Sequence, residues 1–157
     1  MKKRHEFSLN MLATWFGCGR APWAPGTVGT IGAIPLVWLF QRLGATEYMF
    51  ATFGFTVVAM LIAQIYEAGG SEHDPSEFVL DEVAGFLVTM TWLPFTWTWL
   101  LLGFALFRLL DVVKPFPISY IDRKVPGGVG CVADDLLAGI IANACLQIAL
   151  QNSWFNG

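Results

Sequence analysis

Residues 48–66 read YMFATFGFTVVAMLIAQIY and contain no charged side chain. As an α-helix, these nineteen residues would extend about 28 Å, close to the roughly 30 Å hydrocarbon thickness of a bilayer. The stretch does not alternate between polar and apolar residues with a period of two, so it predicts a helix rather than a strand. A helix that reaches across a membrane is therefore the first hypothesis for this chain.

Three more uncharged stretches accompany it, and each is expected to be too short for a full crossing. They are Val28–Phe40, Val83–Phe107 and Leu136–Leu150. Pro94 is expected to break Val83–Phe107 into two helices of about eleven residues, each about 16 Å long. The whole chain, residues 1–157, is predicted to form one all-α domain, a multihelical bundle.

The composition supports contact with a membrane. Apolar residues make up 55% of the chain and charged residues 13%, about half the charged share of a typical soluble domain. The net charge is −3, and no basic stripe indicates binding of nucleic acid. A soluble bundle with a polar rim stays open as an alternative, as does partial insertion from the cytoplasmic face. Cys18, Cys131 and Cys145 form no Cys-x-x-Cys pair, so we expect free, buried thiols.

Charged residues gather at one end of the predicted bundle. Counting turns from the N-terminus places Arg20–Thr30, Glu67–Glu82 and Arg108–Asp135 at that end, and Gln41–Glu47 at the other. On this count, eight of nine Lys and Arg residues and eleven of twelve Asp and Glu residues share the first end. For a bundle that sits in a membrane, the positive-inside rule then predicts that this end faces the cytoplasm.

A glycine- and proline-rich loop, Gly17–Thr30, leads into the first predicted helix. Glycines allow a ligand close to the backbone, and the free N–H groups of a helix N-terminus suit a phosphate. Thr27 and Thr30 could donate hydroxyl hydrogen bonds, and Arg20 a bidentate one. The alternative is a plain turn with a threonine N-cap. The loop lacks the Gly-Lys-Ser/Thr ending of a Walker loop.

Two acidic pairs, Asp81–Glu82 and Asp134–Asp135, are each predicted to open an apolar helix at this end. N-capping explains one carboxylate per helix, but it explains two doublets in a nearly uncharged bundle less well. Neighbouring helical residues point about 100° apart, so one acid of each pair can ligate while the other caps or supports it. Carboxylate oxygens without accompanying cysteine or histidine suit a hard cation, Mg²⁺ first.

Arg108, Asp111 and Lys114 share one face of a predicted helix because they are spaced three residues apart. In the functional interpretation, Arg108 and Lys114 hold phosphate oxygens while Asp111 binds metal or orients water. The alternative is a solvated ladder of salt bridges. Farther along, Arg123 either contacts a headgroup or attracts an anionic leaflet. The glycine-rich residues 127–130 are expected to form flexible backbone near a headgroup.

Phosphate-binding donors beside clustered carboxylates predict metal-assisted phosphoryl transfer. Other phosphatase designs are missing from the sequence. It contains no Asp-x-Asp for an aspartyl-phosphate site, no Cys-x5-Arg thiolate loop and no Ser-Gly-His of a histidine-nucleophile lipid phosphatase. Attack by a metal-activated water is the preferred mechanism, and an aspartate nucleophile stays open.

Five motifs, in order, make the chain resemble the phosphatidylglycerophosphatase A family over roughly residues 8–150. They are Gly17-Cys-Gly with Ala24-Pro-Gly-Thr-Val-Gly-Thr30, Leu80-Asp-Glu-Val-Ala-Gly85, Phe107-Arg-Leu-Leu-Asp-Val-Val-Lys-Pro-Phe-Pro-Ile118, Asp122-Arg-Lys-Val-Pro-Gly-Gly-Val-Gly130 and Asp134-Asp-Leu-Leu-Ala-Gly139. The resemblance implies Mg²⁺-dependent hydrolysis of phosphatidylglycerophosphate to phosphatidylglycerol and phosphate, on the route to cardiolipin. It also implies a multihelical fold in which one central helix is surrounded by others.

The predicted site residues fall into two groups. The predicted metal ligands are Asp81, Glu82, Asp134 and Asp135, with Asp111 as a further catalytic residue. The predicted substrate-binding residues are Arg20, Thr27, Thr30, Arg108, Lys114 and Arg123. His73 could act as an acid or base, although a lone loop histidine is more often simply solvated.

Two other functions fit parts of the pattern. A small membrane carrier or cation-coupled transporter would use clustered carboxylates without hydrolysis, and it would hold them within the membrane spans. A structural bundle that binds anionic lipid would show no turnover. Acids at helix ends beside phosphate donors favour the enzyme.

Overall fold

A computed structural model describes residues 2–68 and 75–152, with side chains from Ser8 onward. The all-α prediction is confirmed, since these residues contain helices and no strand. The helices are α1 (Lys2–Ala13), α2 (Pro25–Gly32), α3 (Ile34–Gln41), α4 (Ala45–Ala68), α5 (Leu80–Thr89), α6 (Trp97–Val113), α7 (Ile118–Lys124) and α8 (Gly127–Gln151).

The short helix α5 is the centre of the bundle, as the family resemblance implied. Eight of its ten residues are buried, and it packs against α2, α4, α6 and α8. Val83, Phe86 and Leu87 are completely shielded from solvent. A helix with apolar residues on all sides can be buried on all sides, so the composition of α5 explains its central place.

Helices α5 and α8 cross at two glycines. A Cβ atom on Gly139 would overlap the carbonyl oxygen of Gly85. A Cβ on Gly85 would lie 2.6 Å from the Phe107 ring and 2.8 Å from the carbonyl oxygen of Asp135. The two backbones therefore touch at this point, and no larger side chain fits between them without moving one helix.

The last helix is longer than predicted. We expected Leu136–Leu150, too short for a crossing, but α8 has 25 residues and begins at Gly127. The predicted flexible backbone at residues 127–130 is thus the first turn of this helix. Its glycines serve close packing, because a Cβ on Gly128 would overlap the backbone of Ala63 in α4.

The predicted helix Val28–Phe40 was also wrong in its extent. The chain forms α2 and α3 in its place, with Ala33 between them. Pro35 lies in the first turn of α3, where a missing N–H costs little, but it cannot continue an uninterrupted helix from α2.

The break predicted at Pro94 is confirmed, since α5 ends at Thr89 and α6 begins at Trp97. Side-chain amides satisfy the carbonyls that are left free at this break. Gln41 donates to the carbonyl oxygen of Leu93 at 3.0 Å, and Asn143 donates to those of Thr89 and Thr91, both at 2.8 Å. The carbonyl groups at the end of α5 are therefore hydrogen-bonded by side chains of the bundle itself.

Within the described residues, α4 and α8 are the two helices long and apolar enough to cross a membrane. Only a minority of each apolar segment is buried in the bundle, 33% for α4 and 44% for α8. The uncovered face of α4 is strongly apolar, with Phe50 and Phe53 each 70% exposed. Such a face is typical of a surface that contacts a membrane or another protein.

The close crossing of α5 and α8 generates a stability prediction. Gly139→Ala should lower the free energy of unfolding by about 1–3 kcal/mol, because the added methyl overpacks a backbone contact. Gly54→Ala is the matched control, since nothing lies within 4 Å of a Cβ there and alanine favours a helix. Thermal unfolding in detergent should show a lower midpoint for Gly139→Ala only. Equal midpoints would show that the crossing tolerates a side chain.

Candidate active site

Three carboxylates meet where the N-terminal end of α5 faces α8. Asp81 and Glu82 lie in the first turn of α5, and Asp135 lies on α8. One oxygen from each can be chosen so that all three lie within 4.8 Å of one another. Asp81 is 7% exposed and Asp135 only 3%. The structure thus brings together three of the four residues predicted to bind metal.

The glycine crossing explains this meeting. Gly85 follows Asp81 by four residues and Gly139 follows Asp135 by four, so each acid lies about one turn before its glycine. Because the helices touch at the glycines, the two acids face each other across the same gap. Spacing along the sequence and close helix packing together build the carboxylate cluster.

The prediction that Asp134–Asp135 opens a helix was wrong. The N-cap residue of α8 is Pro126, and the acids lie two turns inside the helix. Asp81–Glu82 does lie in the first turn of α5, but the N-cap there is Val79. Neither pair supplies the N-cap, so capping does not account for these carboxylates.

Asp134 pairs with a lysine, whereas its neighbour Asp135 belongs to the carboxylate cluster. Its Oδ2 atom pairs with the Nζ atom of Lys114, which also donates to Oδ1 of Asp122 at 2.6 Å. The other oxygen of Asp134 is buried and has no hydrogen-bond partner. Asp134 therefore lies beside the three-carboxylate cluster rather than within it.

Asp122 was missed as a site residue in the sequence, although it lies in a quoted motif. Its carboxylate lines the same cavity as the cluster. The hydrogen bond from Lys114 lowers the pKa of Asp122 below its usual value of 3.8. Burial alone lowers the pKa of Lys114, but the hydrogen bonds with Asp122 and Asp134 outweigh it and raise this pKa. Lys114 therefore stays charged between two acids.

Arg108 connects Glu82 of the cluster with Asp111 on α6. Its Nη1 atom lies 3.7 Å from Oε1 of Glu82 and also pairs with Oδ2 of Asp111. The Arg108–Asp111 pair was expected from their spacing, whereas the contact with Glu82 is a tertiary one. Asp111 lines the cavity, and Arg108 lies behind Glu82.

The glycine-rich loop reaches the cluster through the start of α2, where a Cβ on Gly26 would overlap Oε1 of Glu82. Its predicted substrate-binding side chains do not line the cavity. Thr30 is completely buried and its hydroxyl donates to the carbonyl oxygen of Gly26 at 2.8 Å. Arg20 pairs with Glu77 at 3.3 Å. Thr27 is partly buried in α2.

Arg123 is exposed on α7 and likewise does not line the cavity. Among the predicted substrate-binding residues, only Lys114 is a cavity-lining residue, and Arg108 contacts one. His73 lies outside the described residues.

The cavity has a volume of about 380 Å³ and a strongly acidic wall. Six carboxylates and the single ammonium group of Lys114 line it; the acids are Asp81, Glu82, Asp111, Asp122, Asp134 and Asp135. Such a wall repels a phosphate unless a cation is added. Glu82 Oε2, Asp134 Oδ1 and Asp135 Oδ2 are buried without a hydrogen-bond partner, which is costly unless a ligand satisfies them.

These oxygens fit a hard divalent cation. Mg²⁺ is bound by oxygen atoms in an octahedron, and the cluster offers three carboxylates within 4.8 Å of each other. The donor set, an acidic cavity with free buried oxygens, is thus suited to Mg²⁺ on its own chemistry.

Comparison of the chain with models of known protein families identifies its relatives. The model of the family Phosphatidylglycerophosphatase A matches residues 11–150. The chain belongs to the phosphatidylglycerophosphatase A family. It is accordingly a phosphatase, and the matched region includes every residue of the acidic cavity.

Individual relatives agree with this assignment. The chain is 38% identical over 139 residues to Phosphatidylglycerophosphatase A of Escherichia coli K12, covering 87% of this chain and 80% of the relative. It is 38% identical over 136 residues to Phosphatidylglycerophosphatase A of Haemophilus influenzae Rd, with coverages of 85% and 83%. A Bacteroides thetaiotaomicron protein named "Putative phosphatidylinositol-3-phosphatase" is 35% identical over 156 residues, with coverages of 94% and 96%. No solved structure matches the chain.

Electrostatic conflict marks this member of the phosphatidylglycerophosphatase A family. Burial raises the pKa of Asp81 well above its usual value of 3.8, and the charge of Glu82 raises it further. Burial likewise raises the pKa of Glu82, while hydrogen bonding to Asp81 and the charge of Arg108 offset this only in part. At a pH between their usual and their raised pKa values, Asp81 and Glu82 therefore keep protons that the same groups would release in the unfolded chain.

This conflict predicts how the metal-free protein responds to pH. A carboxyl group with a raised pKa stabilises the fold fully below its unfolded pKa, near 3.8. That contribution is lost as the pH rises through the folded value. In chelator, the unfolding midpoint should therefore fall as the pH rises above about 4, the usual pKa of an aspartate. Asp81→Asn should flatten the decline, because its amide carries no charge at any of these pH values.

Glu47→Gln is the matched control, since this exposed acid lies in the first turn of α4 at the opposite end of the bundle. It should keep the slope of the wild type in the same chelator and detergent. Identical slopes for wild type and Asp81→Asn would show that Asp81 is not under electrostatic strain.

Proposed function

We propose that this protein is a Mg²⁺-dependent lipid phosphatase that hydrolyses phosphatidylglycerophosphate to phosphatidylglycerol and phosphate, a step toward cardiolipin. The observation that carries the proposal is the acidic cavity, in which Asp81, Glu82 and Asp135 offer a cation site beside Lys114. The names of the Escherichia coli and Haemophilus influenzae relatives support the substrate.

The carboxylates of Asp81, Glu82 and Asp135 would hold the cation, with Asp134 and Asp111 next to it in the cavity. When bound, Mg²⁺ neutralises phosphate oxygens and lowers the pKa of a coordinated water. The mutual repulsion of these acids would be offset by a bound cation, which would relieve the electrostatic conflict among Asp81, Glu82 and Asp135.

The chain's own side chains would orient the substrate. Lys114 supplies a charged donor on the cavity wall, where a phosphate oxygen can replace one of its two carboxylate partners. In this proposal the Oδ1 atom of Asp134, which has no hydrogen-bond partner, accepts a hydrogen bond from an attacking water. Arg108 holds Glu82 and Asp111 in position from behind.

Activity measurements test this proposal. In detergent, the wild type should release phosphate from phosphatidylglycerophosphate with Mg²⁺ and stop in excess chelator. Asp81→Asn and Asp135→Asn should each lose about 100-fold or more in rate, since changes even to the neighbours of metal ligands cost 10–100-fold. Glu47→Gln should retain the wild-type rate, because its carboxylate lies at the far end of the bundle.

Two substrates should be compared in that assay, because the Bacteroides thetaiotaomicron relative bears the name of a phosphoinositide phosphatase. We expect a higher kcat/KM for phosphatidylglycerophosphate than for phosphatidylinositol 3-phosphate. The reverse ranking would overturn the substrate assignment while leaving the site intact. Failure of a folded, Mg²⁺-loaded protein to cleave either lipid would favour the carrier hypothesis, which cation flux in vesicles would then test.

We also propose that the protein is located in a bacterial inner membrane with the cavity facing the cytoplasm. The apolar faces of α4 and α8 support membrane insertion. The basic residues around the cavity end, among them Arg20, Arg123 and Lys124, support the orientation through the positive-inside rule.

Labelling of single cysteines tests this orientation. In a chain whose native cysteines are replaced by serine, Lys124→Cys lies near the cavity and Arg42→Cys at the opposite end, both at exposed positions. A membrane-impermeant maleimide should label Lys124→Cys in inverted inner-membrane vesicles and Arg42→Cys in right-side-out vesicles. The opposite pattern would reverse the orientation, and labelling of both from the cytoplasmic side would exclude a full crossing.

A further inference from the structure

A thiol borders the carboxylate cluster. The Sγ atom of Cys131, on α8, lies 2.8 Å from Oδ2 of Asp81, on α5, and is the donor in this contact. Cys131 lines the acidic cavity. We expected buried cysteines, but Cys131 and Cys145 are exposed, and all three are free. A sulfur atom thus touches one of the proposed Mg²⁺ ligands.

Buried oxygens without partners face the same cavity. Asp135 follows Cys131 by four residues, so the two side chains lie on one face of α8, one turn apart. Only 3% of the Asp135 surface is exposed, and its Oδ2 atom has no hydrogen-bond partner. These oxygens call for a ligand independently of the thiol, and the thiol changes which ligand the cavity prefers.

We propose that Cys131 is a sulfur ligand through which the cluster binds a soft divalent cation of the zinc and cadmium class. Thiolate sulfur selects such ions, and Zn²⁺ accepts a mixed set of cysteine and carboxylate ligands. As the metal–sulfur bond forms, the thiol proton passes to the buffer, and Oδ2 of Asp81 loses a hydrogen-bond donor and becomes available to the metal.

Competition follows from the shared carboxylate of Asp81. Sγ of Cys131 touches Asp81, which is also one of the three carboxylates close enough to hold Mg²⁺, so the soft cation and Mg²⁺ exclude each other. The soft cation should therefore inhibit phosphate release. This consequence rests on the proposed function, whereas binding of the soft cation does not.

Cadmium alone is the probe, because cadmium–thiolate bonds absorb in the ultraviolet and report sulfur ligation without any enzyme assay. The full chain in detergent is freed of metal with chelator and titrated with Cd²⁺. The wild type and Cys145→Ser should show the charge-transfer absorption, since Cys145 lies on α8 but outside the cavity wall. Cys131→Ser should lose it and bind Cd²⁺ at least about tenfold more weakly.

A second variant tests whether the carboxylates contribute to Cd²⁺ binding. Asp135→Asn keeps Cys131 but removes the carboxylate one turn along the same face of α8, so it should weaken Cd²⁺ binding about tenfold or more while the absorption survives at saturation. Added Mg²⁺ should shift the Cd²⁺ titration of the wild type to higher concentrations.

Three results would overturn the proposal. The first is absorption that persists in Cys131→Ser, and the second is absorption that disappears in Cys145→Ser. The third is a Cd²⁺ affinity that Asp135→Asn leaves unchanged, because such a result indicates binding by a lone thiol. Phosphate release distinguishes this failure from failure of the proposed function. A Mg²⁺-dependent phosphatase without the cadmium–thiolate absorption refutes only the sulfur ligand, and an inactive protein that shows the absorption refutes only the phosphatase.

Discussion

The contact between the backbones of Gly85 and Gly139 is the constraint from which the site follows. Two helices can come this close only where both lack a side chain, and the van der Waals contact fixes their separation and rotation. Asp81 and Asp135 each lie one turn before these glycines, so the crossing determines the distance between their carboxylates. A shift of either helix would move a metal ligand with it.

The crossing also imposes an electrostatic cost. Six carboxylates line one cavity of a chain that is only 13% charged, and the described cations that contact them are few. Lys114 and Arg108 pair with four of the acids: Asp122 and Asp134, and Glu82 and Asp111, respectively. Asp81 and Asp135 receive no such cation, and they are the most deeply buried acids together with Asp134. The arrangement sacrifices stability at the place where a divalent ion can restore it, as expected of a site selected for binding rather than for folding.

Patterns local to the sequence were sufficient to predict the helical class, the break at Pro94 and the gathering of acids at one end. Contacts made across the fold were not. The partner of Arg20 is Glu77, 57 residues away, and no spacing rule links them. Thr30 looked like a ligand because hydroxyl groups bind phosphate, but a helical threonine can also donate to the carbonyl four residues before it, as it does to Gly26. The glycines at the start of α8 looked flexible, yet they lie in its first turn, where Gly128 packs directly against the backbone of α4.

The dimensions of the central helix explain why the chemistry lies at one end. Ten residues make α5 about 15 Å long, half the thickness of a bilayer core. A helix that ends at such a depth exposes its last carbonyls, which lipid cannot satisfy. Gln41, Asn143 and Gln147 donate to carbonyls in and after its last turn, so the apolar end of α5 can stop inside the bundle. In the proposed membrane arrangement, its acidic end would lie toward the surface where a lipid headgroup and a cation from solution can meet, which is the geometry that a phosphatase acting on a lipid requires.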